Sequence, residues 1–280
     1  MDELTTYFTD MPKAHRTALL VGGLAFFYVI ETLAPYFTEK RKWWKQTGVK
    51  LFFTVTTLLI NLIMAFMLLK SADWVTANDF GILHLISMPI WLEIIVGLML
   101  LDLIGAWLIH YIEHHVTFMW KFHLIHHSDQ HIDTFSATRH HPGESVFRFV
   151  FTILAVLISG APIWMVFLYQ SISLVMSQFN HSNISFPLWL DKILSAVIAT
   201  PHMHRVHHHY RMPYSDMNYG NIFSIWDRIF QTYVRVDNRK LKYGVDTHMD
   251  IKSSESIVEL LKIPFKPYRP HVEYDTKEEL

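Results

Sequence analysis

Histidine carries the chemistry in this sequence. Three stretches place imidazoles at helical spacing: His110-Tyr-Ile-Glu-His114, His123-Leu-Ile-His126-His127 and His204-Arg-Val-His207-His208. Residues three and four apart share one helix face, so each HxxHH box is expected to turn three rings toward one centre. Together the boxes make eight imidazoles, too many for one ion and enough for two with positions left open. Imidazole suits zinc, copper, iron and nickel, so donor type alone does not choose the metal. A structural zinc site closes at four ligands, fewer than this set supplies. His181, in Gln-Phe-Asn-His-Ser-Asn, is expected as a ninth ligand; for His141, in Arg-His-His-Pro-Gly-Glu, ligand and core readings balance. His115, His131, His140, His202 and His209 are expected around the site or on the surface. His15, His84, His248 and His271 are expected to be ordinary. Fifteen of the 19 histidines fall between His110 and His209. Each ring needs partners for two nitrogens, which makes histidine a poor bulk packing residue.

The elements that must hold these boxes are apolar helices. Hydrophobic residues make up 51% of the 280 and charged residues 18%, and mean hydropathy is +0.20. Residues 1–17 are polar and acidic, unlike a cleavable signal. Residues 18–34 form an apolar run holding only Glu31, about the minimum for a crossing. Residues 49–69 form a cleaner one, with Lys50 at its edge and Asn61 inside. Residues 89–109 form a third, containing Glu93 and Asp102. Carboxylates in a span usually face protein or a cavity. Asp102 therefore reads equally as a group that supports the histidines or relays protons and as a capped or paired structural acid; Glu93 reads as structural. Residues 80–88 are too short to span and are expected along the interface. Residues 145–179 break at Gly160-Ala161-Pro162 and predict a helical hairpin or a pair of kinked helices.

The expected fold is all-α: an integral membrane protein of about four transmembrane helices or hairpins with a cytosolic, histidine-rich helical cap. Residues 1–99 would supply N-terminal membrane helices, 100–235 the catalytic part and 236–280 a cytosolic tail, with the stretch from Lys252 onward a surface appendage. Lys40, Arg41, Lys42, Lys45 and Lys50 outnumber the cations of the neighbouring loops, which puts residues 36–50 in the cytoplasm. Counting crossings, His110 and His204 then emerge on that same side, as a shared site requires. A net charge of −1 gives no electrostatic case for nucleic acid. The absence of cysteine excludes disulfides, thiolate zinc sites and a cysteine nucleophile.

The order HxxxH, HxxHH, HxxHH resembles the fatty acid hydroxylase/sterol desaturase superfamily of membrane di-iron enzymes. Trp120-Lys-Phe-His123-Leu-Ile-His126-His127-Ser-Asp129 is similar to that family's second box, Thr138-Arg-His-His-Pro-Gly-Glu144 to the segment after it, and Pro201-His-Met-His204-Arg-Val-His207-His208 to the third. Asn218-Tyr219-Gly220 and Ile225-Trp226-Asp227-Arg228-Ile-Phe-Gln231-Thr-Tyr233 resemble the signatures downstream, with Gln231 where glycine is usual. Tyr111 stands where arginine is common. The resemblance covers roughly residues 100–233 and implies nine iron ligands: His110, His114, His123, His126, His127, His181, His204, His207 and His208. It also implies two iron ions (zinc replacing iron on isolation), dioxygen as co-substrate, and an external electron donor, a small cytochrome or a ferredoxin with its reductase. No G-x-G-x-x-G fingerprint appears in the chain, in agreement with an external donor.

The expected activity is hydroxylation, or desaturation, of a lipid: fatty acyl, sterol, sphingoid, ether lipid or carotenoid. Asp227 is a candidate for orienting an imidazole, with a salt bridge to arginine as its competing role. Phe118, Trp120, Phe122 and Trp226 are expected to pack, the lesser reading being a channel wall. A histidine-rich metal transporter and a zinc-dependent membrane hydrolase are the rivals. The first would thread polar residues through consecutive spans; the second would work without oxygen.

Overall fold

The computed structural model describes residues 2–38 and 43–272. A short helix α1 (Asp2–Thr9) precedes α2 (Lys13–Leu33) and the 35-residue α3 (Trp43–Ala77). Then come α4 (Ile90–Asp102), a π-helical turn (Leu103–Leu108) and α5 (Ile109–His115), which run on as one rod. Helix α6 (Thr117–His127) turns back along the site, and α7 (Pro142–Ser159) and α8 (Ile163–His181) form the expected hairpin. Short helices α9 (Leu188–Leu194), α10 (Pro201–His207) and α11 (Ile225–Ile229) complete the cap. Among the described residues there is no strand, only isolated bridges such as Pro35 with Ile184.

Four helical stretches are long and apolar enough to cross a membrane: Lys13–Leu33, Gln46–His84, Ile90–His115 and Pro142–Ser159. Large apolar side chains on α3, among them Leu59, Leu62, Ile63 and Phe66, point outward. In water that face would be a liability; against lipid it is the expected surface. The core lies between α3, α4, α7 and α8, where Leu68, Val75, Leu101, Phe149, Val156 and Met165 interlock. Helix α7 ends in Gly160 at φ +77°, the left-handed conformation that suits glycine. Gly81, at φ +107°, lies against it so closely that a Cβ there would stand 2.3 Å from the Gly160 nitrogen. The segment 80–88, expected along the interface, thus includes a plug at the end of the hairpin, and His84 Nε2 bonds the Gly160 carbonyl at 3.1 Å.

Two expectations are corrected. Lys50, expected among the loop cations, is 1% exposed and bridges Asp129 at 2.9 Å and Asp133 at 3.0 Å. It fastens α3 to the loop after α6 and leaves the orientation argument to its neighbours. Of those, Lys40, Arg41 and Lys42 lie outside the described residues. Similarly, the stretch after Lys252 is not merely an appendage. Leu260 and Ile263 are buried with Val49, Phe53, Trp120, Leu124 and Ile125. The apolar pattern there is only two turns long, too short to read as a core helix; residues 273–280 lie outside the described chain.

Candidate metal centre

The boxes sit at helix ends that converge. The π-helical turn delivers α5 with His110 and His114 inward, and α6 begins only two residues after α5 ends, so its histidines return beside them. Thr200 caps α10, its hydroxyl accepting from the Met203 N–H, and Pro201 follows at the first helical position. Helix α8 runs back from Gly160 and brings His181 to the same end.

All nine expected residues are buried and fall into two groups. His110, His114, His123, His127 and His207 form one, and His126, His181, His204 and His208 the other. The expectation that each HxxHH box serves one centre is therefore corrected: His123 and His127 face the first group while His126 faces the second. His207 likewise parts from His204 and His208. Adjacent positions on a helix point about 100° apart, so a box facing the gap between two centres straddles both. The groups touch, with the His127 and His208 rings stacked 4.6 Å apart.

Hydrogen bonds fix which nitrogen of five rings is bare. Nδ1 donates to the Tyr219 carbonyl from His110 (2.9 Å), to Asp216 from His114 (2.9 Å) and to Glu144 from His123 (2.7 Å). His181 Nδ1 donates to the Ser177 carbonyl, and His207 Nδ1 to the Met217 carbonyl, each at 2.8 Å. Their Nε2 atoms are then lone-pair acceptors. Yet His110 Nε2 lies 3.1 Å from His123 Nε2, and His181 Nε2 lies 3.1 Å from His126 Nε2 and 2.9 Å from His204 Nε2. The buried His207 Nε2 has no hydrogen-bond partner at all. The bare His110 and His123 lone pairs repel at this distance, and a cation between them removes the repulsion. In the second group the Nε2 atoms of His126, His204 and His208 crowd that of His181 and one another, while the buried Nδ1 atoms of those three rings have no partner. Nitrogens bound at about 2.1 Å and right angles to one ion stand about 3 Å apart. The donor set therefore fits metal in both groups. Burial, with the neighbouring imidazoles adding to it, holds the rings of His123, His126, His127, His204 and His208 well below the ordinary histidine range. Neutral rings are the form that binds metal.

A third group, His123, His140 and Glu144, is built differently. Glu144 Oε1 already accepts from His123 Nδ1, His140 Nδ1 (2.6 Å) and Arg148 Nε (3.1 Å). Donors converge there rather than lone pairs, and Arg148 also pairs with Glu113 at 2.7 Å. Glu144 is thus an orienting anion. Glu144→Gln should weaken metal retention about 10- to 100-fold. Metal per chain against graded chelator measures this, and unchanged retention would refute the orienting role.

Neither Asp102 nor Asp227 touches an imidazole, which corrects the expectation that Asp227 orients one directly; nor does Asp227 meet an arginine among the described residues. Asp102 accepts from the Ile222 and Phe223 amides and from Trp226 Nε1. Asp227 accepts from Trp107 Nε1, the Tyr219 and Gly220 amides and Thr232 Oγ1. It holds the turn whose Tyr219 carbonyl receives His110, so it acts at one remove. Burial outweighs these four donors and raises its carboxyl above the usual range. Gln231, in the place where glycine is usual, has φ +59°, which explains the preference. His141 caps α7 by accepting from the Gly143 amide and packs on Phe122, outside both groups. His140 stacks on His126, His115 bonds the Tyr111 carbonyl, and His202 and His209 bond Asn238 and the Lys242 amide.

A cavity of about 770 Å³ ends on His110, His126, His181 and His204. Phe118, Trp120, Phe122 and Trp226 take no part in its wall. Sequence reasoning missed Glu144, Arg148, Asp216 and the cavity itself. Only Glu144, fixed four residues from His140 and Arg148, left a signal.

A bundle of apolar helices presenting nine buried imidazoles in two metal-sized groups at one end defines a histidine-cage membrane protein. Residues 94–232 match the model of the family described as Fatty acid hydroxylase. The chain belongs to the fatty acid hydroxylase superfamily. Similar proteins include the ornithine lipid hydroxylase OlsE of Rhizobium tropici, 23% identical over 145 residues. Another is the alkylglycerol monooxygenase of Homo sapiens, 30% identical over 151 residues. The matches cover 52% and 51% of this chain but only 43% and 31% of those relatives, so the chain spans less than half the length of either. No solved structure matches it.

Proposed function

We propose that this chain is a membrane di-iron oxygenase that hydroxylates a C–H bond of a lipid, with the nine histidines as ligands and the site facing the cytoplasm. Residues 100–235 carry the catalytic part. One observation supports this most strongly: in both groups buried Nε2 atoms gather within about 3 Å of one another beside a cavity of about 770 Å³, a lipid-sized volume. The printed activities of the relatives, a lipid hydroxylase and an alkylglycerol monooxygenase, point the same way. When bound, the irons supply reduction of dioxygen, with electrons from an external donor, and oxidation of an unactivated C–H bond.

The chain's own residues do the rest. Glu144, Asp216 and the Tyr219 and Met217 carbonyls fix four of the rings so that Nε2 faces inward. Buried aromatic neighbours such as Trp120, 4.9 Å from the His114 ring, keep water from the first group. The cavity wall aligns the lipid chain beside the second. Positioning of this kind is the larger part of a protein's contribution to such chemistry.

Lipid mass spectrometry of aerated cells expressing the intact chain or His207→Ala tests the reading. A gain of one oxygen, lost in the variant, is expected; a loss of two hydrogens instead would make the outcome desaturation. Lipids indistinguishable between the cultures would remove the proposal. A product formed equally without oxygen would favour a zinc hydrolase.

A further inference from the structure

The cavity wall changes along α3. Beside the histidines it carries Thr54, Thr57, Thr138, Ser145 and Arg148; further along α3 it becomes Leu58, Leu62, Ala65 and Leu69, with Asn61 among them. The far end lies at Met11 and Phe167, where Arg16 and Ser171 also reach the wall. Phe167 and His181 are fourteen residues apart on α8, about 21 Å at 1.5 Å per residue. A polar wall against an apolar chain would leave hydroxyls without partners. The hydroxyls here do bond one another, Thr54 to Thr138 at 2.6 Å and Thr57 to Ser145 at 3.1 Å, and each oxygen retains capacity for a further bond.

The charge at that end excludes a simple anion site. Arg148 is held by both Glu113 and Glu144, so two carboxylates answer one guanidinium. Of the two arginines that line the cavity, Arg16 has no carboxylate partner among the described residues and stands at the opposite end, stacked over Phe167 at 3.7 Å. The cavity also opens sideways. Val21 on α2 and Leu58, Leu62 and Leu69 on α3 line it and are themselves exposed, Leu62 by 73%. Helix α2 packs along α8 and the turn Thr134–Thr138, leaving a slot toward α3 at bilayer depth.

We propose that a single-chain lipid enters sideways between α2 and α3, its uncharged, hydroxyl-bearing head lodging among Thr57, Ser145 and Arg148 and its tail running past Leu62 and Leu69 toward Phe167. This rests on the lipid-oxygenase reading and adds an orientation to it: the carbons presented to the histidines are the first ones beyond the head. A lipid of the leaflet at the histidine end enters this way without carrying its head through hydrocarbon.

The test uses hexadecylglycerol bearing a photoreactive diazirine either next to the glycerol or at the tail tip, added to the full chain in nanodiscs, with crosslinked peptides identified by mass spectrometry. The head-proximal probe should mark the turns around Thr57 and Ser145, and the tail-tip probe those around Leu69 and Phe167. Leu62→Trp, which fills the slot, should cut both yields about tenfold, whereas Ile63→Trp, equally exposed but outside the cavity wall, should leave them within about twofold. The reverse map, with tail tips beside Ser145 and heads at Arg16, would overturn the proposal, as would yields indifferent to Leu62→Trp. Crosslinking needs neither oxygen nor metal. A map as expected from a chain that oxidises no lipid would therefore sink the oxygenase reading alone.

Discussion

With His204 replaced by alanine, bound metal should fall from about two ions per chain to about one, and oxygenated lipid should fall more than about 100-fold. His204 sits in the middle of the second group, its Nε2 2.9 Å from His181 and 3.0 Å from His208. Removing it takes one donor from a set of four, whereas the first group keeps all five. His114→Ala leaves the first group four donors and should weaken its ion's retention while sparing the second. The double variant should hold less than one ion per chain. Product should be lost in every case, because groups that act as a unit fail together rather than additively. Elemental analysis of purified chains and mass spectrometry of the lipids read the two effects separately. Two ions retained in His204→Ala, or product within about tenfold of the intact chain, would sink the two-group assignment.

Asp227→Ala should be the most destabilising single substitution of those considered, by about 4 kcal/mol. Four donors depend on that carboxylate, among them Thr232 Oγ1 at 2.7 Å and the Trp107 indole at 2.9 Å. Each buried donor left unsatisfied costs about 1–3 kcal/mol, with some relief from entering water. Asn should recover about half: its carbonyl oxygen can serve the three donors at Oδ1, but its amide would face the Gly220 N–H, donor against donor. Thermal melts measure the stability, and metal content supplies a second reading. Since the Tyr219 carbonyl orients His110, folded Asp227→Asn should hold metal more weakly in the first group than in the second. Equal retention in both groups would mean that the turn does not position the ring.

The boxes were legible because helical spacing is written in consecutive residues. His123, His126 and His127 announce a common side of one helix without reference to anything distant. Their division between two centres was not legible, since it depends on where α5 and α10 stand relative to α6. The carboxylate roles were hidden for a similar reason. Asp102 meets Ile222, and Trp107 meets Asp227, each across 120 residues; no local pattern records such a partner. Lys50 misled through its position at the end of an apolar run, where a cation ordinarily marks an aqueous boundary. The interior of the cap contained two acids for it, and desolvation without them would have been prohibitive. The hairpin at Gly160 was read correctly because glycine and proline act on their own backbone.

The widened turn at Leu103–Leu108 sets the aim of everything after it in that rod. Shortening it by one residue would rotate the following side chains by about 100° while shifting them only about 1.5 Å along the axis. His110 and His114 would swing away from the first group, in a segment still long and greasy enough to insert. A lineage that lost that residue would keep an ordinary-looking membrane helix and lose two of the first group's five donors at a stroke. The length of this short stretch is therefore under tighter constraint than its composition.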